Sequence, residues 1–233
     1  KCKADLSKPI LDIGCGTGAA SAMVLTKASP SEVIGIDPSA SQVSYAAAHV
    51  ANERARFQVG DAMSLDFQDG EFDVAVSALV LNLVPDANQV IREMRRVMRP
   101  SGVVATYIWD IAQNGHPASP LVNGFSRLDP NAPRFGGGGK NIESEQDILQ
   151  LFEEGELTNI STNRIEISVR HASFDAYWDD ALISQGPPGA YLKRMSDDGL
   201  GKLKTAMIET IPTNNLGEVE YPACAWAIRG TVQ

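Results

Sequence analysis

Short apolar runs alternate with helical patterns through the first 110 residues, and this alternation constrains the fold more strongly than any other feature. The runs are four to seven residues long, rich in valine and isoleucine and mostly followed by glycine or aspartate, which is typical of buried parallel strands. The alternation of strands and helices predicts an α/β fold with a doubly wound, mostly parallel sheet. The runs cover residues 9–13, 32–36, 56–59, 72–77 and 103–109.

Two of the intervening helices have recognisable starts. Ser39 and Asp86 are each followed three residues later by glutamine, which is the spacing of a capping box. The helix after Asp86 carries an apolar face that extends as far as Met98, and we expect Pro100–Gly102 to end it.

The pattern changes after Asp110. Residues 113–140 contain four of the 13 prolines and the run Gly136–Gly139, so they predict an irregular excursion with mobile glycines. Residues 171–211 predict two or three helices that are broken at Gly186–Gly189. The other expected elements are a helix over 143–153 and strands over 163–169 and 223–230.

These patterns predict one domain with two functional parts. Residues 1–110 are expected to form the ligand-binding half. Residues 111–233 are expected to complete the sheet and to carry insertions at about 113–140 and 171–211 that form a lid and bind substrate.

Composition excludes several classes of protein. The 233 residues are 43% apolar and carry a net charge of −9, which disfavours a protein that binds nucleic acid or an anionic membrane. No apolar run approaches the roughly 18 residues that span a bilayer. The three cysteines are far apart, with no spacing that suggests a metal site or a disulfide framework, and they favour a reducing compartment, the cytoplasm.

The strongest motif is a glycine cluster between a predicted strand and a predicted helix. Gly14, Gly16 and Gly18 allow the backbone to approach a ligand closely, and Asp37 follows 23 residues after Gly14, where an acid often binds a ribose. The cluster suits either a dinucleotide or S-adenosylmethionine. The acid at Asp12 would repel a pyrophosphate and attract the sulfonium and amino groups of S-adenosylmethionine, so it favours the second interpretation.

These motifs resemble those of the class I S-adenosylmethionine-dependent methyltransferases, of the small-molecule group called type 11. Five matching segments follow in order along the chain: Leu11–Gly18, Ile34–Asp37, Gly60–Ala62, Phe72–Ser77 and Met94–Gly102. The resemblance implies a seven-stranded Rossmann-like sheet and methyl transfer from S-adenosylmethionine, with S-adenosylhomocysteine as product. It also implies a small-molecule acceptor.

The resemblance further implies where the cofactor binds. The backbone of Gly14, Cys15 and Gly16 would contact the methionine part. Asp37 would accept from both ribose hydroxyls, and Asp61 from the adenine amino group. Further contacts are implied around the adenine and the methyl-donating centre at Pro38, Ser39, Ala62, Met63, Ser77, Ala78 and Leu79.

Neither the catalytic group nor the acceptor follows from the motifs. Candidates for a general base are Asp110, His116 and His171, and candidates for contact with substrate are Asn82, Trp109, Tyr177 and Trp178. Asn82 departs from the family pattern, because many relatives have histidine there. No metal is expected, and the oligomeric state and the methylated atom are not specified. Two alternatives stay open: a protein that binds S-adenosylmethionine without catalysis, and a nicotinamide-dependent oxidoreductase.

Overall fold

A computed structural model describes residues 9–132, 134–135, 142–184 and 186–233. The elements in chain order are β1 (Ile10–Ile13), α1 (Ala19–Ala28), β2 (Val33–Asp37), α2 (Ala40–His49), β3 (Ala55–Val59), β4 (Phe72–Ala78), α3 (Ala87–Val97), β5 (Met98–Trp109), a 3-10 turn (Ile111–Gln113), α4 (Ser119–Leu128), α5 (Glu145–Glu154), β6 (Thr158–His171), α6 (Phe174–Leu182), α7 (Gly186–Leu192), α8 (Asp197–Ile208) and β7 (Val219–Thr231).

The strands form one seven-stranded sheet in the order β3-β2-β1-β4-β5-β7-β6. The pairs β1–β2, β1–β4, β2–β3 and β4–β5 are parallel. In this register the end of β1, Ile13, lies between Ile36 of β2 and Ser77 of β4. The predicted α/β class with a mostly parallel sheet is therefore confirmed, and so are the predicted strands in the first half of the chain.

The chain divides into two compact units. Of the described residues, unit 1 comprises 9–108, 142–163 and 226–233, and unit 2 comprises 109–132, 134–135, 164–184 and 186–225. The main core of unit 1 packs β1, β4 and the apolar face of α3, where Val90, Ile91, Met94 and Val97 are inaccessible to solvent. This burial explains why a helix with so many polar residues forms, since its apolar stripe covers the sheet.

Unit 2 has a separate core built mainly from helices. Phe125 of α4, Trp178 of α6 and Leu203 and Met207 of α8 are buried together in it. Across the described ranges of both units, no helix is long and apolar enough to cross a membrane.

The helix before β5 ends earlier than its sequence pattern predicts. Helix α3 ends at Val97, and Met98 opens β5 although we expected it on the helical face. Pro100 explains the change, because a proline disfavours helical backbone at the residue before it. Ser101, with a φ of 67°, then donates its backbone N–H to the carbonyl of Val232. Met98 is nevertheless buried, so its apolar side chain packs in the core although the residue belongs to a strand.

Two expectations about the second half of the chain are wrong. Residues 113–140 contain a helix, α4, rather than only irregular structure, and Pro120 is accommodated because it lies in the first turn. Gly186–Gly189 begins α7 instead of breaking a helix. The run Gly136–Gly139 lies outside the described residues.

Candidate functional site

The turn after β1 needs glycine at defined positions. The backbone N–H groups of Gly14 and Cys15 both donate to the carbonyl of Ile36, at 2.8 and 2.9 Å, which folds the turn against β2. Gly14 has a φ of 70°, and a Cβ atom there would clash with a methyl group of Val80. The turn therefore brings bare backbone to the carboxyl edge of the sheet, where ligands bind in open α/β folds.

Asp37 ends β2 beside this turn and is only 8% exposed. Its Oδ2 atom accepts a hydrogen bond from the N–H of Gly16 at 3.0 Å, and its Oδ1 atom accepts from the N–H of Ser39 at 2.9 Å. These bonds fix the carboxylate in orientation. Each oxygen keeps a second lone pair that can accept a hydroxyl.

Asp61 occupies the corresponding place after β3. Its Oδ1 atom accepts from the N–H of Met63 at 2.8 Å, which closes a tight turn around the buried Ala62. The side chain of Asp61 is otherwise exposed, so its second oxygen is available to a ligand.

A cavity of about 670 Å³ in unit 1 joins these three turns. Its volume lies within the range usual for small-molecule and cofactor sites. It is lined by nine residues that were predicted to bind the cofactor: Gly14, Gly16, Asp37, Pro38, Asp61, Ala62, Met63, Ala78 and Leu79.

Sequence reasoning missed other residues of this cavity, among them Gln42, Val80 and Leu83. The available signals were weak. Gln42 lies in the first turn of the helix that follows Asp37, and Leu83 is a large apolar residue that is 59% exposed.

Four predicted cofactor-binding residues do not line the cavity: Asp12, Cys15, Ser39 and Ser77. Ser39 caps α2 by accepting from the N–H of Gln42. Ser77 is buried, and its hydroxyl has no hydrogen-bond partner within the described part of the chain.

Asp12 is completely buried beneath the glycine turn. Ser21 donates a hydrogen bond to its Oδ2 atom at 2.5 Å, while Oδ1 has no partner among the residues that the structure describes. Burial raises the pKa of this carboxyl to about 6. Burial, followed by the charges of Asp12 and Asp37, also raises the pKa of the Cys15 thiol to about 12.

The three candidate bases all lie in unit 2. Asp110 is buried, and its backbone N–H donates to the carbonyl of Cys224 at 2.9 Å. His116 accepts from the N–H of Ala118 at Nδ1, and burial lowers its pKa to about 4, so the ring is neutral at pH 7. Nδ1 of His171 lies 3.2 Å from a carboxylate oxygen of Asp180.

The candidate substrate residues are divided between the units. Asn82 is in unit 1, and its buried Oδ1 atom has no partner over the described ranges. Tyr177 and Trp178 are buried in the core of unit 2, and Trp109 packs its ring edge against His116.

The strand order, the glycine turn and the acid that ends β2 define a Rossmann-like α/β protein with a ligand site at the carboxyl edge of its sheet. Residues 11–106 match the family model described as a methyltransferase domain. The resemblance to the class I S-adenosylmethionine-dependent methyltransferases is therefore confirmed over these residues.

Similar proteins support this assignment. The chain is 31% identical over 130 residues to a demethylmenaquinone methyltransferase of Lactobacillus johnsonii, an alignment that covers 52% of this chain and 51% of the relative. It is 35% identical over 130 residues to a 2-phytyl-1,4-naphtoquinone methyltransferase of Synechococcus elongatus, covering 51% of each. The chain thus spans about half the length of these curated relatives.

Solved structures extend the similarity of fold to the whole chain. The YcgJ protein from Bacillus subtilis superposes with a TM-score of 0.66 at 19% identity, covering 100% of this chain and 94% of that one. A geranyl diphosphate C-methyltransferase from Streptomyces coelicolor gives a TM-score of 0.56 at 14% identity, covering 98% and 75%.

The residues present fit S-adenosylmethionine. The buried carboxylate of Asp37 suits a ribose diol, and the backbone of Gly16 is open to the cavity, because only the end of the Gln42 side chain lies near the position of its missing Cβ atom. The unpartnered oxygen of Asp12 is an acceptor close to this turn, suited to a cation.

Proposed function

We propose that the whole chain is an S-adenosylmethionine-dependent methyltransferase that acts on a small-molecule acceptor. The observation that carries the proposal is the 670 Å³ cavity of unit 1, which brings the glycine turn, Asp37 and Asp61 to one site. The bound cofactor would supply a methyl group activated by its sulfonium. The task of the protein is then to hold the reactants in line and to exclude water.

Each turn of the cavity has a proposed role. Asp37 accepts from the two ribose hydroxyls, and Asp61 accepts from the adenine amino group, through the lone pairs that their backbone bonds leave free. Gly14 and Gly16 present backbone to the methionine part, with Cys15 between them. Pro38, Ser39, Ala62 and Met63 border the adenine, and Ser77, Ala78 and Leu79 lie near the methyl-donating centre.

The proposed acceptor is a small molecule. The relatives named above are quinone methyltransferases, and the net charge of −9 disfavours nucleic acid and anionic membranes as partners. Asp110, His116 and His171 stay candidates for a base, which is needed only where the accepting atom carries a proton. The proposed compartment is the cytoplasm, on the evidence of cysteine usage.

The decisive experiment measures S-adenosylhomocysteine binding by titration calorimetry in the parent protein and in Asp37→Ala. Loss of the charge-assisted bonds to the ribose is expected to weaken binding by about tenfold or more. Asp66→Ala is the matched control, because Asp66 is an exposed acid of unit 1 outside the cavity. Circular dichroism checks that each variant is folded.

The same preparation discriminates between the alternatives. A parent protein that binds neither S-adenosylmethionine nor S-adenosylhomocysteine contradicts the proposal, and stronger stabilisation by a nicotinamide cofactor would favour an oxidoreductase. Tight binding without methyl transfer to any acceptor in a broad small-molecule screen would instead favour a binding protein without catalysis.

A further inference from the structure

Unit 2 contains a second cavity, of about 350 Å³, that shares no lining residue with the cavity of unit 1. It is bordered by one face of α4, the turn at residues 113–115, the end of α8 and the first part of β7. At about 30 Å³ per water molecule, the space suits a molecule of roughly ten non-hydrogen atoms.

The walls of this cavity are fixed by hydrogen bonds. Gly115 accepts from the N–H of Cys224 at 2.8 Å, and the hydroxyl of Tyr221 donates to the carbonyl of Pro117 at 2.7 Å. These bonds hold β7 against the turn that precedes α4. The cavity is therefore a preformed feature of the unit, as ligand sites usually are.

Two guanidinium groups line the cavity. No carboxylate of the described residues lies within ion-pair distance of Arg127, on α4. Arg164, on β6, places Nη2 at 3.1 Å from the Cys224 sulfur and at 3.8 Å from a carboxylate oxygen of Glu166. Glu166 and Asp110 both act on the charge of Arg164 and offset part of it, whereas Arg127 has no ion pair among the described residues.

A buried donor also lines the cavity. Ser119 begins α4, is 4% exposed, and its hydroxyl makes no hydrogen bond to any part of the chain that the structure describes. Buried hydroxyls without a partner are rare, because they lose their bonds to water without replacement. Ser119, Asn123 and Arg127 follow each other at four-residue intervals, so they share one face of α4.

We propose that this cavity binds a small molecule through an oxyanion group, a phosphate or a carboxylate. Arg127 supplies the main positive charge and Arg164 a second one, because planar guanidinium groups match both anions in geometry. The hydroxyl of Ser119, which has no partner among the described residues, donates a further hydrogen bond to the oxyanion. The proposal concerns unit 2 alone and does not depend on methyl transfer.

The test measures binding of three probes by titration calorimetry at constant ionic strength: inorganic phosphate, pyrophosphate and succinate. At least one probe is expected to bind the parent protein, and the comparison of the phosphates with succinate identifies the anion. Arg127→Gln is expected to weaken binding by about tenfold or more, because a charge-assisted bond is lost. Arg127 is exposed, so the variant is expected to fold.

Two further variants make the test specific. Lys202→Gln removes a positive charge from an exposed position of α8 outside the cavity and is expected to leave binding unchanged. Ser119→Ala is expected to weaken binding by about threefold to tenfold without lowering the melting temperature, since its hydroxyl has no partner to lose.

The outcomes are distinct. Weaker binding in Arg127→Gln and Ser119→Ala, with parent-like binding in Lys202→Gln, supports the site. The proposal is overturned if none of the probes binds the folded parent protein at millimolar concentration, or if all three variants bind alike. S-adenosylhomocysteine titrated into the same samples tests the cavity of unit 1 separately.

Discussion

Asp12, which is buried, and His116, which is half-buried, are titratable groups whose pKa values depart from the ordinary ones in opposite directions. Burial raises the pKa of Asp12, an acid, and lowers the pKa of His116, a base, so both side chains are held towards their neutral forms. Because each shift is a difference between the folded and unfolded chain, each makes stability depend on pH. The two dependences have opposite signs.

For Asp12, we expect the free energy of unfolding to fall as the pH rises. The folded carboxyl keeps its proton up to about pH 6, whereas the ordinary value is 3.8, so the stabilisation present at low pH is lost between these values. The loss is at most about 3 kcal/mol, at about 1.4 kcal/mol per pKa unit. Urea unfolding of the parent and Asp12→Asn from about pH 4 to about pH 7 measures it. A constant difference between the two proteins would contradict the shift.

For His116, we expect the free energy of unfolding to fall as the pH falls. The folded ring stays neutral down to about pH 4, while a free histidine takes up a proton near 6.5, so stability is lost as the pH falls between these values. In His116→Gln this acid-side loss is expected to be smaller, as measured by the melting temperature across the same range. His49→Gln, on the exposed side of α2, is the control. Equal pH profiles for His116→Gln and the parent would show that burial does not shift this ring.

Among the elements, helix starts were predictable because capping is local. The Oγ atom of Ser39 accepts from Gln42 N–H, and the Oδ1 atom of Asp86 accepts from Gln89 N–H, as their spacing predicts. The side-chain hydrogen bond of Gln89 is not local, because it runs to the carbonyl of Met63 at 3.1 Å. Bonds of this kind depend on tertiary contacts, which sequence spacing does not predict.

The missed elements lacked local signals. Helix α4 starts after Ala118, which offers no side-chain cap, and it contains Pro120, one of the four prolines that suggested an irregular segment. By contrast, the glycine turn and Asp37 were predictable, because the turn directly follows β1 and Asp37 is the last residue of β2. The contribution of Gln42 and Leu83 to the cavity depends on how loops pack, which sequence spacing does not encode.

Alanine substitutions at two glycines compare how much stability depends on glycine in a turn and in a helix. In Gly14→Ala, we expect the free energy of unfolding to fall by about 1–3 kcal/mol or more, because the φ of 70° is strained and Val80 occupies the space. In Gly201→Ala, on α8, we expect a gain of up to about 1 kcal/mol, because nothing lies within 4 Å and alanine favours helix. Chemical denaturation of both variants measures the contrast. Similar losses in the two would contradict the role of the turn.

On the scale of the whole molecule, the two units have separate cores. The main core of unit 1 lies between the sheet and α3, while that of unit 2 combines its helices with Val219 and Tyr221 of β7. The predicted cofactor residues belong to unit 1 and the predicted bases to unit 2. It stays a prediction that the insertions at about 113–140 and 171–211 form a lid over the acceptor.

Trp178 distinguishes packing from substrate contact in unit 2. It is buried and stacks on Phe174 with 6.2 Å between ring centroids, so Trp178→Ala is expected to cost about 3–5 kcal/mol of stability. Affinity for S-adenosylhomocysteine and turnover per folded molecule are expected to be unchanged. Leu216→Ala, at a position 82% exposed, is the control. Normal melting with reduced turnover would instead assign Trp178 to the acceptor site.

Cys15 has a thiol in the turn that is proposed to meet the methyl donor. A thiolate beside an activated methyl group is a competing nucleophile, and its capture of the methyl would leave a permanently alkylated protein. Burial and the neighbouring charges of Asp12 and Asp37 keep this sulfur protonated at physiological pH. Burial is the largest cause of this shift and the two carboxyl groups add to it, so we expect Cys15 not to compete for the methyl group.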